Sequence, residues 1–308
     1  MGTKINMVSV SKLNSRLHTG NSISMAAGAV KECLLRSGIS PLEIGLLINT
    51  GIYRYRNTGE PSIASLIQHK AIQSPGKSSK FTDAVSSRYI FSFDLSNGGC
   101  GWLSGIEILD GFIQTGQIQH GIVVTADSEP FHSFSENYNF NAAAAAIIIS
   151  GTETHGGFSH YRTYSFPEFS DEFSSATRFG KMKGRWGTRN ILVINEKVTF
   201  VAKCIDSAVK SVNRFLDETG YAMKDIDLII SSQCPNGFLR GMREQLGISG
   251  KFVEVSNHMN KELHTAGPAF ALNDSWNDNR FRSSENILFL TVGSGINVSI
   301  ALYKNIFS

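Results

Sequence analysis

The chain has 308 residues, 41% hydrophobic and 18% charged, enough to bury a large core in one large domain or two fused halves. A net charge of +3 argues against a nucleic-acid binder, and no run of about 18 apolar residues or leader-like N-terminus is present, so a cytoplasmic protein is expected. Four widely spaced cysteines, Cys33, Cys100, Cys204 and Cys234, match no metal or redox spacing. Reduced thiols and no metal are expected.

In chain order, residues 29–38 read as a helix leading through Pro41 and Glu43 into a buried strand over 44–48. Residues 93–105 run from a strand into the glycine corner Asn97, Gly98, Gly99, Cys100, Gly101, which delivers a cysteine to the start of an amphipathic helix. A helix N-terminus offers unpaired N–H groups and a positive dipole end, which favour a thiolate and can hold an oxyanion. Leu103, Ile106, Leu109, Phe112 and Ile113 recur at helical spacing on more than one face, predicting a central helix over 103–115 that stops at Gly116. A buried strand over 121–127 follows.

Residues 155–190 mix aromatic, glycine, serine and charged residues without a clean period. They include the cations Arg178, Lys181, Lys183, Arg185 and Arg189 around Trp186. Two readings stand: a solvated crossover loop, or a docking surface for an anionic partner such as a nucleotide phosphate or an acidic carrier protein. Residues 208–230 then repeat the helix-to-strand plan of 29–48, and 287–294 repeats 121–128, which implies two duplicated halves with mostly parallel sheets covered by helices. The divisions predicted are 1–160, a crossover loop over 161–190, and 191–308.

Three further positions carry candidate chemistry. Ser232 and Gln233 follow a strand at its carboxyl end, where open parallel sheets place their sites, as do Gly99 with Cys100 and Gly293 with Ser294. His264 sits in a small-residue corner ahead of a predicted helix; it reads either as a loop histidine satisfied by hydrogen bonds or as a site residue. Cys33 and Cys204 fall on apolar helical stripes and are expected to be packing residues.

The order of these segments, with 110–116, 140–147, 226–247 and 291–303, resembles the thiolase fold and, within it, the ketoacyl-acyl carrier protein synthase III group of condensing enzymes. The resemblance implies an α/β, five-layered αβαβα arrangement of two pseudo-duplicated halves. It implies an acyltransferase that takes acyl groups from coenzyme A or phosphopantetheine thioesters, with no permanently bound cofactor, in fatty-acid-derived or polyketide metabolism. The implied assembly is a dimer pairing residues 89–95 across the interface, either as a homodimer or with a ketosynthase paralogue.

Carried over residue by residue, an ungapped match from Asp94 to Asp127 puts Gly99 in the nucleophile position and Cys100 one residue late. Ser232 and Gln233 stand where the family has His-Gln, and His264 where it has asparagine. Related condensing enzymes place a histidine at the His264 position. The expected site is therefore Cys100 as nucleophile, swung in by a bulge at the double glycine, and His264 as base. Ser232 and Gln233 would form a polar wall, and the backbone at Gly99 and Ser294 the oxyanion contact. The alternative is a non-catalytic subunit that completes a heterodimer with an active paralogue.

Overall fold

A computed structural model describes residues 2–12, 21–73, 90–130, 134–154, 156–181, 186–255 and 261–305. The first half contributes β1 (Gly2–Lys12), α1 (Ser22–Ser37), β2 (Ile44–Asn49), α2 (Ile63–Gln68), β3 (Phe91–Asp94), α3 (Gly101–Gln114), β4 (His120–Asp127), β5 (Ser135–Glu136) and β6 (Ala143–Thr152). The rest contributes β7 (Gly157–Ser165), β8 (Phe173–Lys181), β9 (Thr188–Glu196), α4 (Phe200–Thr219), β10 (Leu228–Ser231), α5 (Phe238–Leu246), α6 (Gly267–Asn277), α7 (Arg280–Ser283), β11 (Asn286–Gly293) and β12 (Asn297–Lys304).

Two sheets carry the fold, ordered β1-β6-β4-β2-β3 and β10-β11-β12-β7. In each, a parallel pair (β2 with β4, β10 with β11) meets an antiparallel continuation (β4 with β6, β11 with β12). The period of two along the central strands decides the layers. Ile122, Val124 and Ala126 of β4 face α1 in one cluster, whereas Val123 faces the middle of the molecule. Leu288 and Leu290 of β11 face α4 in another cluster, whereas Ile287 and Phe289 turn inward. The middle cluster holds α3 and α6, so the order is helix, sheet, helices, sheet, helices: five layers.

The central helix is buried as its sequence requires: Trp102, Ile106, Leu109 and Ile113 are fully enclosed. Its C-terminus is closed by Gly116, at φ +74°. The alanine run of β6 is buried on both faces between helices; small side chains let them close on the strand.

The duplication extends to local detail. Helices α1 and α4 both end at a left-handed glycine, Gly38 at φ +70° and Gly220 at φ +75°. Each then enters its strand through a single 3-10 turn whose acid accepts from a backbone N–H three residues back, Glu43 from Ser40 and Asp225 from Ala222.

Residues 161–190 differ from the loop reading. They hold the end of β7, all of β8 and the start of β9, and β8 and β9 form an antiparallel hairpin with β5 beyond it. The alternation that marks a strand is missing because β8 is an edge strand exposed from Ser174 to Phe179. Only β9 buries large side chains, Leu192 and Ile194 on one face and Ile191 on the other.

Candidate active site

A pocket open to solvent lies at the carboxyl ends of the central strands of both sheets. It is lined by Gly99, Ser232, Gly293, Ser294 and His264, together with Phe140, Phe173, Glu196, Phe200, Cys204, Cys234, Pro235 and Val292.

His264 is held rigidly. The loop ahead of α6 is tied to the segment after β5: Asn141 N–H donates to Glu262 O (2.8 Å) and Glu262 N–H to Asn139 O (3.2 Å). The imidazole packs against Tyr53 and Phe140, with ring centroids 5.0 and 4.7 Å away. Its Nδ1 lies 3.0 Å from Oδ2 of Asp127, the last residue of β4. Asp127 is itself saturated. Oδ1 accepts from the N–H groups of Ile52 and Tyr53, both at 2.8 Å, and Oδ2 accepts from the N–H and hydroxyl of Thr265 at 3.1 and 2.6 Å.

Burial alone pushes the Asp127 carboxyl up, but the hydrogen bond and charge of His264 and the donors of Thr265 and Tyr53 outweigh it and hold it below the ordinary carboxylate value. An ionised Asp127 fixes the proton on Nδ1, and Nε2 has no partner among the described residues. That ring nitrogen is a base set in a pocket, with its tautomer assigned by the hydrogen bond its other nitrogen makes.

Cys100 corrects the sequence expectation. No side chain of Cys100 lines the pocket; Gly99 does. Cys100 is fully buried, its Sγ turned toward the second sheet, 3.2 Å from Asn297 O and 3.5 Å from Thr291 O. Burial pushes the thiol up. Gly98 does adopt the left-handed conformation, at φ +50°, but residues 98–100 then form a 3-10 turn that throws residue 100 inward. A Cβ on Gly99 would lie 2.2 Å from Val292 O, so a bare backbone is required where the pocket meets the elbow.

Ser232 is in the wall, its hydroxyl accepting from Val292 N–H at 3.1 Å. Gln233 is not. Its amide donates to Ser231 O and Val253 O and accepts from Val255 N–H, which makes it a clamp between two loops.

Cys33 packs in the core, its thiol 3.1 Å from Ala146 O and pushed up to about 12 by burial. Cys204 is buried as its stripe suggested, but at the floor of the pocket. Sequence reading passed over Cys234, which is half-buried, lines the pocket and donates to Glu262 Oε2 at 2.9 Å. Burial and the nearby carboxylate push this thiol well up, so no pocket cysteine is a ready thiolate.

Sequence reading also passed over Asp127. The signal was an acid closing an otherwise apolar strand at its carboxyl end.

Residues 216–305 match the family described as the C-terminal part of 3-oxoacyl-[acyl-carrier-protein] synthase III. Along almost its whole length the chain is similar to curated synthases of that name. It is 21% identical to the protein from Aquifex aeolicus, over 91% of this chain and 83% of that one, and 24% identical to synthase III 2 from Vibrio vulnificus, over 94% and 77%.

At this low identity the chain is similar to synthases of the ketoacyl-acyl carrier protein synthase III type. Its fold is the thiolase fold: it superimposes on the crystal structure of the Aquifex aeolicus synthase III with a TM-score of 0.78 (18% identity, 99% of this chain and 100% of that one). It superimposes equally on Xanthomonas campestris OleA, in crystals with lauric acid and lauroyl-CoA, with a TM-score of 0.77 (17% identity, 99% of both chains). No described helix is long and apolar enough to cross a membrane.

Proposed function

We propose that this chain is an acyltransferase of the condensing-enzyme type that acts on acyl thioesters of coenzyme A or a carrier protein, in fatty-acid-derived or polyketide metabolism, without an acyl-cysteine at Cys100. The observation that carries this reading is His264, lining the pocket with Nδ1 committed to Asp127 and Nε2 unpartnered.

In the proposed step, Nε2 takes the proton of an acceptor as the acceptor attacks the thioester carbonyl. The new bond forms, the carbon–sulfur bond breaks, and the departing thiolate takes the proton back from Nε2. The backbone at Gly99 and Ser294 borders the space where the oxyanion would develop. Among the described lining residues the only acid is Glu196, and there is no lysine or arginine. Such a pocket suits a neutral or cationic acceptor and repels a carboxylate.

The test is thiol release from a panel of acyl-CoA and acyl-carrier thioesters, each with alcohol, amine and malonyl acceptors. Release with a neutral or amine acceptor, with no acyl adduct on the protein by intact mass, is expected. No release with any pairing sinks the proposal.

The buried Cys100 beside a bare Gly99 favours a second reading: a non-catalytic subunit that completes a heterodimer with an active paralogue. Silence of this chain alone, with turnover restored by such a partner, would establish it.

Assembly follows from β3, the edge strand of the first sheet, where Phe91 is 56% exposed. The sequence-predicted pairing segment begins at Tyr89, which lies outside the described residues. Light scattering at micromolar concentration is expected to give a dimer, and Phe91→Glu to shift it toward monomer. A monomer in the parent protein, alone and with a paralogue, would contradict this.

A further inference from the structure

The protonation of His264 limits the kind of acceptor the pocket can serve. Ionised Asp127 holds the proton on Nδ1, so Nε2 presents a lone pair to the pocket. A lone pair takes a proton from an O–H group. It cannot donate one to the enolate oxygen that a decarboxylating carbon acceptor develops.

Ser232 supplies the complementary group. It is buried in the pocket wall, and its oxygen already accepts from Val292 N–H at 3.1 Å. Its own O–H has no acceptor among the described residues, so that proton is available to the pocket. The base, this hydroxyl donor and the bare backbone at Gly99 offer enough polar contacts to seat one water molecule, and the pocket is open to solvent.

The rest of the described lining places no lysine, arginine or amide to hold a larger acceptor. Phe140, Phe173 and Phe200 are apolar and suit an acyl chain. At the elbow Gly99 has no side chain and Val292 O leaves no room for one, so the acyl group meets its acceptor directly. An acid product would also be pushed out. Glu196 lines the pocket, and burial together with the neighbouring Glu262 lifts its carboxyl, the mark of two carboxylates on one side of the site.

We propose that the acceptor in this pocket is water and that the chain hydrolyses acyl thioesters. The proposal rests on the acyl-transfer reading of the pocket, because the same Nε2 serves both. Ser232 O–H donates to one lone pair of the water and leaves the other to attack the thioester carbonyl, while a water proton passes to Nε2. The carbon–oxygen bond forms, the carbon–sulfur bond breaks, and the departing thiolate takes the proton back from Nε2. The products are a free thiol and a carboxylic acid, which loses its proton to solvent.

The test uses the full chain and straight-chain acyl-CoA thioesters in heavy-oxygen water, with no other acceptor added. Thiol release matched by an equal amount of free acid that carries the heavy oxygen is expected, with no acyl adduct on the protein by intact mass. His264→Ala should lose about 100-fold or more, restored in part by added imidazole. Ser232→Ala is expected to lose about tenfold and, with ethanol present, to yield less acid relative to ethyl ester, a ratio that a merely structural lesion would not move. For Glu196→Gln, inhibition by the acid product should set in at about threefold lower concentration.

Thiol release that needs an added alcohol or amine, an acyl adduct on a cysteine during turnover, or equal hydrolysis by the parent and His264→Ala would each overturn it. The first of these would leave acyl transfer standing with another acceptor. No release under any condition would remove the acyl-transfer reading and this inference together.

Discussion

Gly99→Cys, the substitution that would restore a cysteine at the family's nucleophile position, is expected to destabilise the protein and not to create an acyl-enzyme. The added Cβ would lie 2.2 Å from the carbonyl oxygen of Val292 and 3.3 Å from its carbon, and both neighbours are backbone of the second sheet. Neither can swing aside as a flexible side chain would, so the elbow and the end of β11 must separate, at a cost of about 3 kcal/mol, the upper part of the overpacking range. Gly99→Ala should show most of the same loss, which isolates the clash from the thiol. Thermal unfolding measures the first effect, and intact mass after incubation with acyl-CoA the second. A stable Gly99→Cys protein that takes up an acyl group would mean that the elbow tolerates the family's arrangement after all.

Asp127→Ala is the second large effect, expected to cost about 3–5 kcal/mol. It would strip the hydrogen-bond acceptor from the N–H groups of Ile52, Tyr53 and Thr265, from the Thr265 hydroxyl and from His264 Nδ1, in a site where the carboxylate is 2% exposed. The same carboxylate gives stability a pH dependence. Its folded pKa lies below the unfolded value of about 3.9, so the stabilisation is complete above that value and is lost as pH falls through the folded pKa. Urea midpoints should therefore drop as pH falls below about 4, and Asp127→Asn should narrow that drop. An equal drop in parent and variant would show that other carboxylates dominate acid unfolding.

The layered fold was legible because its signals are local and strong. The apolar stripe of the 103–115 helix on more than one face required burial from both sides, and the repeat of 29–48 in 208–230 required two similar halves. The site was less legible. Whether the thiol of Cys100 enters the pocket depends on the turn at 98–100 and on how close Val292 O approaches Gly99, a contact between residues nearly two hundred apart that no local pattern encodes. The His264–Asp127 pair spans 137 positions, and only the histidine stood in a segment that drew attention. Residues 161–190 read as a loop because β8 buries almost nothing, and a strand without a buried face has no period to detect.

The central claim is that acyl transfer in this pocket depends on His264 and not on Cys100. The most direct measurement is kcat/KM for thiol release from an acyl thioester, compared among the parent, Cys100→Ala and His264→Ala. His264→Ala is expected to lose about 100-fold or more, the range for removing a general base, while Cys100→Ala should stay within a few-fold of the parent. A Cys100→Ala protein that is inactive yet folded, with His264→Ala retaining turnover, would contradict the account.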